Sequence, residues 1–204
     1  MRSLTYYVGV TLDGFIAAPD GSYDFFPAPA PLLEFITREF PETLPTHVRG
    51  QLQVTDPGTR FDAVVMGRAT YEPALRARIT SPYAHLDQHV VSTTLPADID
   101  PAVQVSRDPV QLVRRLKAEP GAGVWLAGGG RLAGALLAEI DVLVLKRYPV
   151  VLGTGIPLFS STTVEARPFT VVDERTVGGS TRVTTYARAH LSSGQSGEIN
   201  RSEG

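Results

Sequence analysis

The chain has 204 residues, 43% hydrophobic and 20% charged, a composition typical of a globular domain that buries its own core. It contains no cysteine, which excludes disulfides, thiolate metal sites and a cysteine nucleophile, and favours a reducing compartment. The net charge of −2, with no basic run, argues against a nucleic-acid partner.

The two ends of the chain bear on its location and its domain boundaries. The N-terminal residues reach Gly9 and Asp13 too soon to form a signal-peptide core, and no apolar run approaches a membrane span. We therefore expect a cytoplasmic protein with no membrane partner. Residues 1–190 are expected to form a single domain, and the almost wholly polar residues 191–204 a flexible tail.

The first half of the chain predicts two buried strands and two helices. Residues 4–10 and 62–67 are short apolar runs of the kind found in central strands, whereas residues 11–31 are punctuated by glycine and proline and predict a long functional loop. A helix is predicted over 32–40, where Pro41 ends it. A second helix is predicted to start with Thr70 as its N-cap and Pro73 in its first turn. Residues 42–60 indicate no clear element.

The second half alternates strands with helices. Strands are predicted over 88–93, 103–106, 123–127 and 141–151, and a hairpin over 169–176 and 181–189. Asp108, Pro109 and Gln111 form a helix start, and three glycines precede a further helix from Leu132. This alternation predicts a three-layer α/β domain, with a mixed, mostly parallel sheet flanked by helices and a C-terminal antiparallel hairpin.

Three predicted strand ends carry residues suited to phosphate. Glycines let the backbone approach a ligand closely, arginine binds phosphate oxygens in a fork, and hydroxyl groups donate to them. Each motif alone has a plain alternative, namely a ligand-free turn or a solvated surface residue. Because parallel strands bind ligands across their carboxyl ends, the three together favour an anion site. The residues are Gly128, Gly129 and Gly130; Gly67, Arg68 and Thr70; and Ser92, Thr93 and Thr94.

These motifs also carry a resemblance. The order LDGFIA, VVMGRATYE, VVSTTLPA, WLAGGGRLAGALL and PVVLGTGIPLF resembles the dihydrofolate reductase-like superfamily over about residues 4–189. Within it, the chain is most similar to the riboflavin-biosynthesis reductase branch, the C-terminal domain of bifunctional deaminase-reductases. The resemblance implies bound NADPH, a small-molecule substrate and a homodimer.

The resemblance also implies roles for individual residues. Gly67, Arg68 and Thr70 would line the cofactor phosphates, and Ser92, Thr93 and Thr94 would surround the 2′-phosphate. Residues wrapping the pyrophosphate and nicotinamide would be Gly128, Gly129, Gly130, Arg131 and Leu132. Ile16 and Ala17 would close over the nicotinamide ring, and Gly153 would edge the pocket.

Acidic residues near the expected pocket are the candidates for substrate binding and proton transfer. We take Asp24 and Glu34 as candidate catalytic acids and Asp13 and Asp24 as candidate substrate ligands. The alternatives are that Asp13 fixes a turn, Asp24 is a solvated loop acid and Glu34 is a flank charge on its helix. The four histidines lack metal-ligand spacing, so no metal is expected.

The sequence therefore predicts an NADPH-dependent reductase that transfers hydride to a C=N or C=O carbon of a small polar substrate of pyrimidine or pterin type. True dihydrofolate reductases place a carboxylate where this chain has Pro31 and Leu32. The alternative is a non-catalytic nucleotide-binding or regulatory protein that retains the fold.

Overall fold

The computed structural model describes residues 1–160 and 166–189. The strands are β1 (Leu4–Val10), β2 (Phe15–Ala17), β3 (Phe61–Gly67), β4 (Asp87–Val91), β5 (Val103–Ser106), β6 (Gly123–Gly128), β7 (Val142–Arg147), β8 (Ile156–Pro157), β9 (Phe169–Val177) and β10 (Thr181–Arg188). The helices are α1 (Ala30–Glu39), α2 (Thr46–Gln51), α3 (Arg68–Arg76), α4 (Pro109–Ala118) and α5 (Gly130–Ala135), with a 3-10 turn at Pro41–Thr43.

Eight strands form one sheet in the order β5-β4-β3-β6-β1-β7-β10-β9, and β2 pairs with β8 in a separate ribbon. The strands from β5 to β7 run parallel, and β10 joins β7 antiparallel and pairs with β9. Gly178 and Gly179 make the hairpin turn with φ values of +60° and +78°. This mixed, mostly parallel sheet with a C-terminal hairpin confirms the predicted fold.

Helices cover the sheet on both faces, which gives the three predicted layers. One core contains residues of α4 and α5, and the other contains residues of α1 and α3. Successive residues of β1 point to opposite cores, since Tyr6 belongs to the α4/α5 core and Tyr7 to the α1/α3 core. Burial on both faces explains the continuous apolar runs of β1, β3 and β6.

Two helix starts tested the capping predictions. Asp108 caps α4 as predicted, because its carboxylate accepts a 3.0 Å hydrogen bond from the backbone N–H of Gln111. The prediction for α3 was wrong, because Gly67 is the N-cap and Pro73 lies inside the helix. The extended backbone of Gly67 leads β3 directly into the helix, so Thr70 lies in the first turn with its hydroxyl available for other contacts.

Other element boundaries also differ from the predictions. The 11–31 segment contains β2, whose partner β8 lies far along the chain. β4 ends at Val91, because the Ser92 hydroxyl accepts hydrogen bonds from the N–H groups of Thr94 and Leu95 and turns the chain. β7 ends at Arg147, close to Pro149, which cannot donate to a strand ladder. The 42–60 segment holds α2.

Some predictions fall outside the described residues, namely the tail over 191–204 and the domain end at His190. Among the residues that the structure describes, no helix has the length and apolar character needed to span a membrane.

Candidate functional site

The carboxyl ends of β3 and β6 meet at a group of four residues, Gly67, Thr70, Gly128 and Gly129, which we call the glycine cradle. A Cβ atom built on Gly67 would lie 3.6 Å from the Gly128 carbonyl oxygen and 3.7 Å from the Gly129 nitrogen. One built on Gly128 or Gly129 would lie 3.5 or 3.6 Å from Thr70 Oγ1. The Gly128–Gly129 peptide bond is cis, and Gly128 has φ +127°. The cradle is therefore a backbone surface beside one hydroxyl group.

The third glycine has a different environment. A Cβ atom on Gly130 would lie 2.1 Å from the Pro157 carbonyl oxygen, and the Ser160 N–H donates a 2.9 Å hydrogen bond to the Gly130 carbonyl. Gly130 is thus required by packing against β8 and the residues that follow it. Leu132 is buried in the α4/α5 core, whereas Arg131 is exposed.

The β2–β8 ribbon lies beside the cradle. Ile16 packs against the α4/α5 core, and its Cδ1 atom lies 3.9 Å from the position of a Cβ on Gly129. Ala17 is buried and pairs with Ile156. The structure thus places the β2 segment next to the backbone of Gly129.

Arg68 links the ends of β3 and β4. Its guanidinium donates a hydrogen bond to the Thr94 hydroxyl and lies 3.5 Å from the Glu72 carboxylate. Thr93 and Thr94 are exposed, while Ser92 is buried and its hydroxyl accepts from the backbone of the turn. Arg68 and the two threonines therefore remain accessible to a ligand at this edge.

Arg107 holds the same turn and was missed by sequence reasoning. Its guanidinium donates hydrogen bonds to the Ser92 carbonyl and, at 2.8 Å, to the Leu95 carbonyl. An arginine that follows a short, partly buried strand carries no distinctive sequence signal. Its role becomes visible only when β4 and β5 pair.

Asp13 lies in the loop after β1 and contacts backbone N–H groups of the segment between β7 and β8. Its carboxylate accepts hydrogen bonds from the N–H of Leu152 at 3.1 Å and of Gly153 at 2.7 Å. The Thr11 hydroxyl and these N–H groups lower the pKa of Asp13 below its ordinary value. Gly153 has φ +80°, which suits glycine. Asp13 thus joins two loops at this edge.

The other two candidate acids lie apart from these contacts. Asp24 and Glu34 are both exposed, one before α1 and one within it. Neither carboxylate makes a hydrogen bond or an ion pair with any other residue that the structure describes. Leu32, where true dihydrofolate reductases place a carboxylate, is fully buried in the α1/α3 core.

A second group, which no sequence motif indicates, lies at the carboxyl ends of β1 and β7. The Lys146 Nζ atom lies 4.0 Å from the centroid of the Tyr7 ring. Burial lowers the pKa of Lys146 to about 8 and raises the pKa of the Tyr7 hydroxyl. Tyr148 packs beside them against Phe26, with ring centroids 4.5 Å apart.

The arrangement suits a ligand that carries phosphate groups. Backbone amides and a hydroxyl line the cradle, an arginine and two hydroxyls lie at the next strand end, and no side chain caps the first turn of α3 in the described structure. No group of three histidine, aspartate or glutamate side chains within residues 1–160 and 166–189 is placed to hold a metal ion.

Comparison with sequences of known proteins identifies relatives. A sequence profile of the RibD C-terminal domain matches residues 2–183. The chain is 32% identical over 169 residues to the uncharacterized protein YwjB of Bacillus subtilis (strain 168), which covers 81% of this chain and 87% of YwjB. It is 25% identical over 171 residues to the uncharacterized protein YyaP of the same organism, covering 78% and 80% of the two chains.

Comparison with solved structures agrees with the sequence matches. A putative riboflavin biosynthesis protein from Shewanella sp. PV-4 superposes with a TM-score of 0.66 at 26% identity, covering 93% of this chain and all of that one. A deaminase/reductase from Thermotoga maritima, a diaminohydroxyphosphoribosylaminopyrimidine deaminase and 5-amino-6-(5-phosphoribosylamino)uracil reductase, superposes with a TM-score of 0.61 at 17% identity. The match covers 92% of this chain and 57% of that one. The dihydrofolate reductase-like fold and the profile match give one conclusion: this chain belongs to the RibD C-terminal domain family.

Proposed function

We propose that the protein is an NADPH-dependent reductase that transfers hydride to a C=O or C=N carbon of a small polar substrate. One observation carries the proposal: the glycine cradle and Arg68 with Thr94 lie at the ends of neighbouring parallel strands, β6, β3 and β4. Such an edge is where open α/β sheets bind nucleotides. Membership of the RibD C-terminal domain family supports the same assignment.

The residues of the cradle fit a dinucleotide. Among the described residues, a Cβ built on Gly128 would have only Thr70 Oγ1 within 4 Å, and one built on Gly129 only Thr70 Oγ1 and Ile16 Cδ1. Within residues 1–160 and 166–189, no other side chain fills the space beside this backbone, which supports a ligand there. Gly128, Gly129 and Thr70 would hold the pyrophosphate, while Arg68, Thr93 and Thr94 would hold the 2′-phosphate.

The strand order supports one placement of cofactor and substrate along this edge. Adjacent strands lie about 4.8 Å apart, so the edge from β4 through β3, β6 and β1 to β7 spans about 19 Å. A cofactor anchored over β4 and β3 would bring its nicotinamide over β6 and β1, beside Ile16. Reduced nicotinamide supplies the hydride. The chain's own residues orient the substrate carbon over β1 and β7 and exclude water.

The test begins with cofactor binding. We expect Arg68→Ala to weaken NADPH binding by about ten- to a hundredfold, because a lost charge-assisted contact to phosphate is worth about 1.5–3 kcal/mol. NADH, which lacks the 2′-phosphate, should be less affected. Arg76→Ala, at the exposed opposite end of α3, is the matched control and should bind both cofactors like the native protein.

Turnover is tested separately, by following NADPH absorbance with a panel of carbonyl and imine compounds. Oxidation of NADPH by any of them supports the reductase. Tight NADPH binding without oxidation by the whole panel would favour the non-catalytic nucleotide-binding alternative. Equal binding of NADPH and NADH by the native protein would contradict the assigned 2′-phosphate site.

A further inference from the structure

Lysine is rare in this chain, and its two occurrences have opposite environments. Seventeen of the 19 basic residues are arginine, leaving Lys117 and Lys146. The Lys117 ammonium is paired with the Asp141 carboxylate at 2.6 Å and donates to the Glu139 carbonyl at 3.0 Å. The Lys146 ammonium makes no hydrogen bond or ion pair with another residue of the described structure. A largely buried ammonium without such a partner is costly.

The register of the sheet defines what surrounds Lys146. Lys146 pairs with Gly9 of β1 and with Val183 of β10, so these three residues lie in one row on one face. Its ammonium lies over the Tyr7 ring, which is a weak substitute for a hydrogen-bonding anion. The donors of Lys146 are thus left for a ligand.

Two aromatic rings cover the backbone of Gly9, which pairs with Lys146. A Cβ atom on Gly9 would lie 3.0 Å from the Tyr148 ring and 3.7 Å from the Phe26 ring. Phe26, from the segment between β2 and α1, therefore lies over the glycine backbone and against Tyr148. Because Gly9 has no side chain, the Phe26 ring can lie against Tyr148 and the strand backbone, so this place already holds one planar ring.

The position of Lys146 relative to the cradle matches the proposed chemistry. β1 and β7 follow β6 directly in the sheet, and Gly9 and Lys146 lie at their carboxyl ends. A planar ring above Gly9 would therefore adjoin the strand that follows the cradle. Lys146 is about two strand spacings, or roughly 10 Å, from β6.

Building on the proposed reductase, we propose that Lys146 binds the acceptor oxygen of a planar carbonyl substrate, whose ring takes the place of Phe26 above Gly9, and gives that oxygen its proton. Hydride joins the carbonyl carbon, and the electron pair of the C=O π bond moves to oxygen. That oxygen then bonds a proton from Lys146 Nζ, and the neutral amine recovers a proton from water. A pKa of about 8 keeps this amine mostly protonated at neutral pH, yet makes it a better acid than an ordinary lysine.

The ionisable side chains beside Lys146 on this face are either neutral or already paired. Tyr7 and Tyr148 flank Lys146, and burial raises the pKa of both hydroxyls, so they stay neutral across the physiological range. Arg175 of β9 pairs with Val183 in the same row, but it is bound to Asp173 and Glu39. Lys146 is therefore the cation on this row that is free to serve a ligand among the described residues.

The first experiment needs no substrate. Protein labelled with [ε-¹³C]lysine gives two side-chain resonances, assigned with Lys117→Arg. Barbiturate, a planar ring anion with carbonyl oxygens, is added with and without NADP⁺. We expect the Lys146 resonance to move and the pKa of Lys146 to rise by about one unit, because the anion favours the charged form. The Lys117 resonance should stay fixed. No shift at Lys146, or equal shifts at both lysines, would overturn the proposal.

The second experiment separates this proposal from the function on which it rests. With a carbonyl compound that the native protein reduces, Lys146→Met should lower kcat at least a hundredfold and leave the NADPH affinity unchanged. Lys117→Met should retain kcat. Turnover of Lys146→Met within threefold of native would refute the role of Lys146. If NADPH does not bind at all while barbiturate still shifts Lys146, the reductase assignment fails and the ligand site at Lys146 stands.

Discussion

The carboxyl ends of β3 and β6 and those of β1 and β7 form two halves of one sheet edge, and different groups line each half. Over β3 and β6 the surface is backbone, with three glycines and one hydroxyl, and an exposed arginine lies at its margin. Over β1 and β7 the surface is aromatic and encloses one ammonium group. Backbone amides suit a phosphate-rich ligand, since their donors are fixed by the strands themselves. Aromatic rings beside the Lys146 ammonium suit the planar carbonyl substrate that we propose for this half.

Because the two halves differ in this way, substitutions in one half should have effects that can be measured separately from those in the other. Substitutions in the glycine half should alter cofactor affinity or folding, according to whether the glycine faces the open cradle or packed backbone. Substitutions beside Lys146 should alter turnover and pH dependence instead.

The largest effect is expected at the packed glycine. Gly130→Ala places a Cβ 2.1 Å from the Pro157 carbonyl oxygen, and backbone cannot move aside as a flexible side chain would. We expect a loss of about 3 kcal/mol in the free energy of unfolding, the upper end of the usual cost of overpacking, measured by urea denaturation. Gly129→Ala is the control, since its Cβ meets only ordinary contacts, at 3.6 and 3.9 Å, with the residues that the structure describes. Equal stability of the two variants would contradict the assigned packing.

The neighbouring glycine should give the opposite outcome. Gly129 has φ −97° and ψ −169°, an extended conformation that any residue adopts, so Gly129→Val should lower stability by less than about 1 kcal/mol. The side chain would fill the open cradle, and we expect NADPH affinity to fall at least a hundredfold. A fluorescence titration measures it. A folded valine variant with native affinity would show that the cradle holds no cofactor.

The difference between the halves also explains what could be predicted from sequence. Gly67, Thr94 and Gly128 each lie at or just beyond the end of an apolar run, so strand periodicity alone places them at one edge. The Lys146 half is assembled from β1, β7 and the segment before α1, and only the register between distant strands brings these together. The wrong N-cap at Thr70 has a local cause, because a strand that enters a helix directly leaves no room for a capping loop.

The buried ammonium should give a measurable pH dependence of stability. The folded pKa of about 8 lies below the ordinary 10.5, so the unfolded chain binds more protons between these values and stability rises with pH there. From pH 7 to pH 9.5 we expect native protein to gain about 2 kcal/mol relative to Lys146→Met, measured by urea unfolding. The methionine variant should be the more stable protein at pH 7. Parallel pH profiles would show that Lys146 is well solvated.

The smallest effect is expected at Asp13, where the structure and the substrate-binding hypothesis make different predictions. Its carboxylate bonds the N–H groups of Leu152 and Gly153, which are 139 and 140 residues away in sequence. Because these bonds lower the pKa of Asp13, their stabilisation is present at neutral pH and is lost as pH falls through the lowered value. Asp13→Asn, with one acceptor oxygen in place of two, should therefore lower Tm by a few degrees at pH 7, and the difference in Tm should disappear in acid.

Asp20→Asn, in a turn closed locally by Ser22, is the control and should change Tm less. If Asp13 instead binds the substrate, kcat/KM should fall in the asparagine variant while Tm stays native. That result would show that the carboxylate matters for substrate binding and that its bonds to Leu152 and Gly153 add little stability.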